Sequence, residues 1–172
     1  MAEPDFQFTE ISKFFPETFG EPGMRTFRIN VDSASSNGLI WVEKEQLSEL
    51  CKSMNQLIKE IKPDQNSYTF PPVEKEAPGL SKLEFKTNRI AFGYDENSKM
   101  FIIDVYDPQS ISDETTLRIW IDSIQLESFI SKGLEIVSAG RPICEICKKP
   151  TPTNPNEHCC DYRNGHSKEL II

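Results

Sequence analysis

Cys144-Glu-Ile-Cys147 is followed, ten residues on, by His158-Cys159-Cys160, and these residue types at this spacing point to a metal site. Two cysteines separated by two residues chelate one ion through a tight turn. A His and a Cys on a second short segment complete the tetrahedron that zinc prefers. The intervening Lys148–Glu157 is rich in proline and poor in apolar residues, so burial cannot order it and a bound ion would. Residues i and i+2 of an extended segment share a face, which favours Cys160 beside His158. Cys159 is then a bystander or a substitute. The predicted ligands are Cys144, Cys147, His158 and Cys160, with His166 as a replacement. Four protein ligands close the site, so a structural Zn2+ is expected rather than a catalytic one with a position left for water. Iron takes similar ligands, and disulfides are the competing use of these cysteines. Arg141, Arg163 and Asn164 flank the cluster as candidates for contact with a partner or an anion, or as braces for the knuckle.

Two helices must carry this tail. Leu47, Leu50, Cys51, Met54, Leu57, Ile58 and Ile61 recur at three- and four-residue spacing, which predicts a helix over 45–61 ended by Pro63. Leu126, Phe129, Ile130, Leu134 and Val137 predict a second over 123–139, with Ser123 as N-cap and Gly140 as stop. Cys51 lies in the first stripe and behaves there as a small hydrophobe. Each helix follows the same motif: Ile40-Trp41-Val42-Glu43 then Gln46-Leu47, and Ile119-Trp120-Ile121-Asp122 then Gln125-Leu126. This predicts an internal repeat. Strands are expected over 6–11, 25–31 and 38–42 in the first half, and over 83–94, 99–106 and 116–121 in the second. Asp95–Ser98 makes a turn between two of them. The organisation is therefore α+β: a first repeat over 1–62, a proline-rich linker over 63–81, a second repeat over 82–140 and the knuckle tail over 141–172. Trp41 and Trp120 hold matching places, as core residues or as the lining of one symmetric groove.

Charge narrows the partners. A formal net charge of −8 repels a phosphate backbone, so broad nucleic-acid binding is not expected. The tail escapes in part, since its five Lys and Arg exceed its four Asp and Glu. No apolar run reaches membrane-spanning length and the N-terminus has no secretory pattern, which predicts a cytoplasmic protein with reduced thiols. G-x-S-x-G, a phosphate-binding glycine loop and H-E-x-x-H are all absent from the sequence.

Phe19-Gly-Glu-Pro-Gly23 with Arg25-Thr-Phe27, Val42-Glu-Lys-Glu-Gln46-Leu, and Ala139-Gly-Arg-Pro142-Ile-Cys144-x-x-Cys147 with His158-x-Cys160 and Asn164-Gly165 carry a resemblance over nearly the whole chain. In these motifs the chain resembles a bacterial repeat-protein family classed as a domain of unknown function, DUF3090. The resemblance implies a cytoplasmic protein with a duplicated α+β body and a metal knuckle, and it favours Cys160 as the fourth ligand. The chain departs from the family pattern at Lys148, where glycine is usual, and at Asp161-Tyr162, where Pro-Arg is usual and the arginine falls one place later at Arg163. No activity comes with the likeness. The expected function is a non-enzymatic zinc-containing adaptor for a partner protein. The alternative is an accessory subunit or enzyme acting on a phosphorylated small molecule in the cleft between the repeats.

Overall fold

A computed structural model describes residues 3–34, 36–63, 68–69, 81–111, 114–140, 144 and 146. The elements run β1 (Phe6–Phe8), β2 (Ile11–Phe19), β3 (Thr26–Ser33), β4 (Ser36–Val42), α1 (Lys44–Ile61), β5 (Ser81–Lys86), β6 (Arg89–Asp95), β7 (Met100–Tyr106), β8 (Leu117–Ile121) and α2 (Ser123–Ser138). The chain is α+β.

Each half supplies an antiparallel three-strand meander followed by a helix: β2-β3-β4-α1 and β6-β7-β8-α2. The strand that opens each half joins the other half's sheet. β1 pairs in parallel with β8, placing Phe6 opposite Leu117 and Phe8 opposite Ile119. β5 pairs in parallel with β4, placing Leu83 opposite Gly38 and Phe85 opposite Ile40. The sheets therefore read β1-β8-β7-β6 and β5-β4-β3-β2, one order with the halves exchanged.

Alternation along each strand sends one face inward. Ile29, Val31, Ile40 and Val42 of one sheet and Ile103, Val105, Leu117, Ile119 and Ile121 of the other share one buried cluster with Leu47, Cys51, Met54, Leu126 and Phe129 of the helices. A Cβ on Gly38 would stand 3.4 Å from Phe8 and 3.5 Å from Leu117, so the inner faces meet closely there. The helices cross at Gly133. A Cβ at this position would overlap the Cys51 sulfur, and the bare glycine is what admits the thiol.

The local signals act as their chemistry dictates, with three departures. The strand expected over 6–11 ends at Phe8, and a second strand begins at Ile11 and runs through Pro16 to Phe19. β2 is an edge strand, the one setting in which a missing ladder donor is tolerated. The strand expected over 83–94 is two strands rather than one, because Thr87 turns the chain. Its hydroxyl lies 2.7 Å from the Tyr106 carbonyl oxygen and 2.8 Å from that of Arg89, and its one proton serves the two in turn. The cap of α2 is Asp122 rather than Ser123: Gln125 N donates to Asp122 Oδ1 (2.8 Å), and Asp122 N donates back to Gln125 Oε1 (3.3 Å). Glu43 and Gln46 form the matching box on α1.

The chain divides into two compact units. The first, Met1–Phe19 with Thr26–Ser138, holds both sheets and both helices. The second is Gly20–Arg25 with Ala139–Ile172.

Candidate functional site

Of the residues singled out for metal or partner contact, Cys144 is described and is half-buried. Cys147, His158, Cys160, Arg141, Arg163 and Asn164 lie outside the described residues, as do Cys159 and His166. Among the described residues no three His, Cys, Asp or Glu side chains gather as a metal-binding group. Cys51 is fully buried between the helices, and burial pushes its thiol up to about 12. It is thus kept protonated at neutral pH, unfit as nucleophile or ligand.

The two tryptophans do occupy matching places, but not around one groove. Trp41 sits on β4 with Ile40 and Val42 turned to the core, and Trp120 sits on β8 between the core residues Ile119 and Ile121. Each indole therefore lies on the outward face of a different sheet. Trp41 Nε1 donates to Glu84 Oε1 on β5 (3.1 Å), and Trp120 Nε1 donates to Gln7 Oε1 on β1 (3.2 Å). Each clamps the strand borrowed from the other half. Beside Trp41, the Arg28 guanidinium lies 4.7 Å from the Phe19 ring centroid and 5.1 Å from that of Trp41. Glu17 holds it from β2, accepting from Arg28 Nε at 2.9 Å. Beside Trp120, Arg118 and Asp104 form a two-pronged pair, 2.7 Å at each contact. The bonds to Asp104 raise the Arg118 pKa against the opposing pull of burial. Both arginines are held by carboxylates and tie strands together.

An open concavity lies elsewhere, between α1 and β6. It is a groove of about 740 Å³, large enough for a small ligand or several side chains of a peptide. Leu50, Leu57, Ile90 and Phe92 give it an apolar lining. Glu45, Glu49 and Glu60 of α1 stand along it as exposed carboxylates. Arg89 also lines it, with its guanidinium 3.7 Å from the Tyr106 ring centroid. The amphipathic pattern of α1 turns Leu50 inward, but nothing in that pattern shows that β6 stands off from the helix. Sequence reasoning placed a cleft between the halves and could not name these residues.

Residues 6–160 match the model of a family described as a protein of unknown function, DUF3090. The chain belongs to the DUF3090 family. No curated protein and no solved structure matches it. The span shared with the DUF3090 model takes in Cys144, Cys147, His158 and Cys160, ending on the last of them, as well as both walls of the groove. Arg163 and Asn164 fall beyond it. Among the described residues no helix is long and apolar enough to cross a membrane.

One further DUF3090 residue stands out in the structure. Arg25 closes the Gly20–Arg25 turn, in which Met24 N donates to Glu21 O at 2.9 Å. Its Nε is buried and has no hydrogen-bond partner among the described residues. A buried donor left unpaired costs about 1–3 kcal/mol. In the sequence Arg25 is visible only as part of a motif, and nothing there marks its side chain as buried.

Proposed function

We propose that this DUF3090 chain is a non-enzymatic adaptor of the bacterial cytoplasm, built from a duplicated α+β body and a zinc-ordered tail. In this reading Cys144, Cys147, His158 and Cys160 hold one structural Zn2+. Arg141, Arg163 and Asn164 beside them contact a partner protein. The observation that carries it is the C-x2-C-x10-H-x-C spacing of these four residues, all of them inside the span shared with the family. Four protein ligands leave no open position for water, which favours support over catalysis. The reducing cytoplasm keeps such cysteines as thiolates rather than disulfides. Duplication is supported by the exchanged strand order, the paired caps and the paired indole bonds.

The alternative, a phosphorylated small molecule held between the halves by an enzyme or accessory subunit, meets an electrostatic obstacle. The groove there is lined by three carboxylates against one guanidinium, and like charge opposes an anion. The Nε of Arg25, without a partner among the described residues, does favour an anionic ligand, but it lies in the Gly20–Arg25 segment and not in this groove.

Elemental analysis of the purified full chain beside a Cys144→Ser, Cys147→Ser variant tests the metal. The expected result is about one zinc per chain in the parent, lost in the variant while far-ultraviolet circular dichroism stays unchanged. Equal metal in both proteins, or none in either, sinks the zinc reading. Iron in place of zinc would correct the ion and keep the ligands.

A further inference from the structure

The two helices meet the neighbouring edge strands unequally. α2 closes tightly on β2: the Phe14 and Phe129 rings stack at 4.2 Å, and the Cβ position of Gly133 is 3.8 Å from Pro16 Cγ. α1 and β6 hold the exchanged places in the other sheet, yet they enclose the groove of about 740 Å³. The edges differ as well. β1 has only three residues, β2 carries Pro16, and β5 places Lys82, Glu84 and Lys86 along its length. Short length, proline and alternating charge are the devices that blunt an edge against pairing. β6 has seven residues, no proline and a neutral Ile-Ala-Phe-Gly-Tyr centre, and among the described residues no strand pairs with its outer flank.

We propose that β6 and α1 together dock an extended, basic segment of a partner protein, which adds to the sheet as a strand. Strand addition takes affinity from main-chain bonds and specificity from side chains pointing into one groove. Lengths agree. Glu45 to Glu60 along α1 is roughly 22 Å at about 1.5 Å per residue, and seven strand residues reach roughly 23 Å. Groove-facing side chains at the centre of the segment meet Leu50, Leu57, Ile90 and Phe92. Those at its two ends meet Glu45 and Glu49 on one side and Glu60 on the other. The occupant therefore carries apolar residues at alternate central positions and Lys or Arg at the ends. Charge argues against a second copy of this chain as occupant. Two such grooves face to face would bring six carboxylates together, in a protein of net charge −8.

The probe is the peptide Lys-Thr-Val-Thr-Val-Thr-Lys, titrated into the full chain by fluorescence anisotropy. Two controls accompany it, one with Glu at both ends and one with alternate backbone amides methylated. The lysine peptide should bind at least tenfold tighter than either control, and added salt should weaken it. Glu49→Lys with Glu60→Lys should reverse the preference between the lysine and glutamate peptides and leave the chain folded, since both side chains are exposed and lose only the surface contacts with Lys52 and Gln56. The Cys144→Ser, Cys147→Ser variant should bind as the parent does, which separates this site from the zinc tail. Equal binding of the lysine and glutamate peptides, or no binding at millimolar peptide, overturns the proposal. So does a dimer, seen by light scattering, that the double charge reversal dissolves, for the groove would then belong to a second copy.

Discussion

Replacing Gly133 with alanine should separate the two helices, and the cost follows from the packing at one atom. The new methyl would overlap the Cys51 sulfur but stand at an ordinary 3.8 Å from the Cys51 Cβ. Overpacking a tight core costs about 1–3 kcal/mol, and the overlap places this case near the upper end. Alanine is about 1 kcal/mol better than glycine in a helix interior. The net expectation for Gly133→Ala is therefore a loss of about 2 kcal/mol, or a melting temperature lower by roughly 4–8 °C for a chain of this size. Cys51→Ala alone empties the sulfur's place and should cost about 1 kcal/mol. Together the two changes exchange the positions of one heavy atom: the methyl occupies the space that the sulfur leaves. The double variant should stand within about 0.5 kcal/mol of the parent, a coupling of about 3 kcal/mol. Urea unfolding of all four proteins, followed by circular dichroism, closes the cycle. Additivity within about 0.5 kcal/mol, the behaviour of independent sites, would show that the helices do not meet through this contact and would refute the reasoning.

Two more outcomes follow from the body. Asp104→Ala leaves the Arg118 guanidinium largely buried without its acceptor and should cost about 3 kcal/mol in urea unfolding, whereas Asp104→Met with Arg118→Met should recover most of that loss. Burial raises the Cys51 thiol from an ordinary 9.0 to about 12, so the folded state holds this proton more tightly than the unfolded state does. The contribution is intact below pH 9 and is lost as pH climbs towards 12, with a slope of at most about 1.4 kcal/mol per pH unit. A Cys51→Ala variant should show a shallower alkaline decline in stability over that window, and an identical decline would exclude Cys51 as its cause.

Much of this body is legible in the chain because its signals are local. The stripe from Leu47 to Ile61 predicts α1 to within one residue at its start, and Pro63 explains its end. The Asp95–Ser98 turn is built as its side chains suggest: Asp95 accepts from Ser98 N at 2.7 Å, and the bonds from Ser98 hold its carboxyl below the usual range. What escapes sequence reasoning is set by partners far along the chain. Pro16 speaks against a strand until it is known that β2 lies at an edge. Thr87 looks like one more residue of a long strand until the Tyr106 carbonyl is in reach of its hydroxyl. Trp41 and Trp120 match in sequence, yet the face each occupies depends on which strand the other half supplies. The groove is invisible for the same reason, being a gap between α1 and a strand nearly thirty residues further on. The cysteine cluster is the reverse case: the metal proposed for it rests on spacing alone, and three of the four proposed ligands, Cys147, His158 and Cys160, lie outside the described residues.

The exchange of opening strands also has a consequence for how the chain is made. β1 leaves the ribosome before the rest of the body described here, but its partner β8 begins at Leu117. At an elongation rate of about 5–20 residues per second, β1 waits roughly 5–20 s for the strand it will pair with. β4 likewise keeps an open parallel edge until β5 is translated. Neither sheet can be completed by the half that contributes its meander, so the emerging chain displays the unpaired Phe6–Phe8 strand and the open edge of β4 at once. Parallel pairings across such separations are slow to form. Expression conditions that lengthen this interval, or cell extracts stripped of ribosome-associated chaperones, are where the protein should fail first.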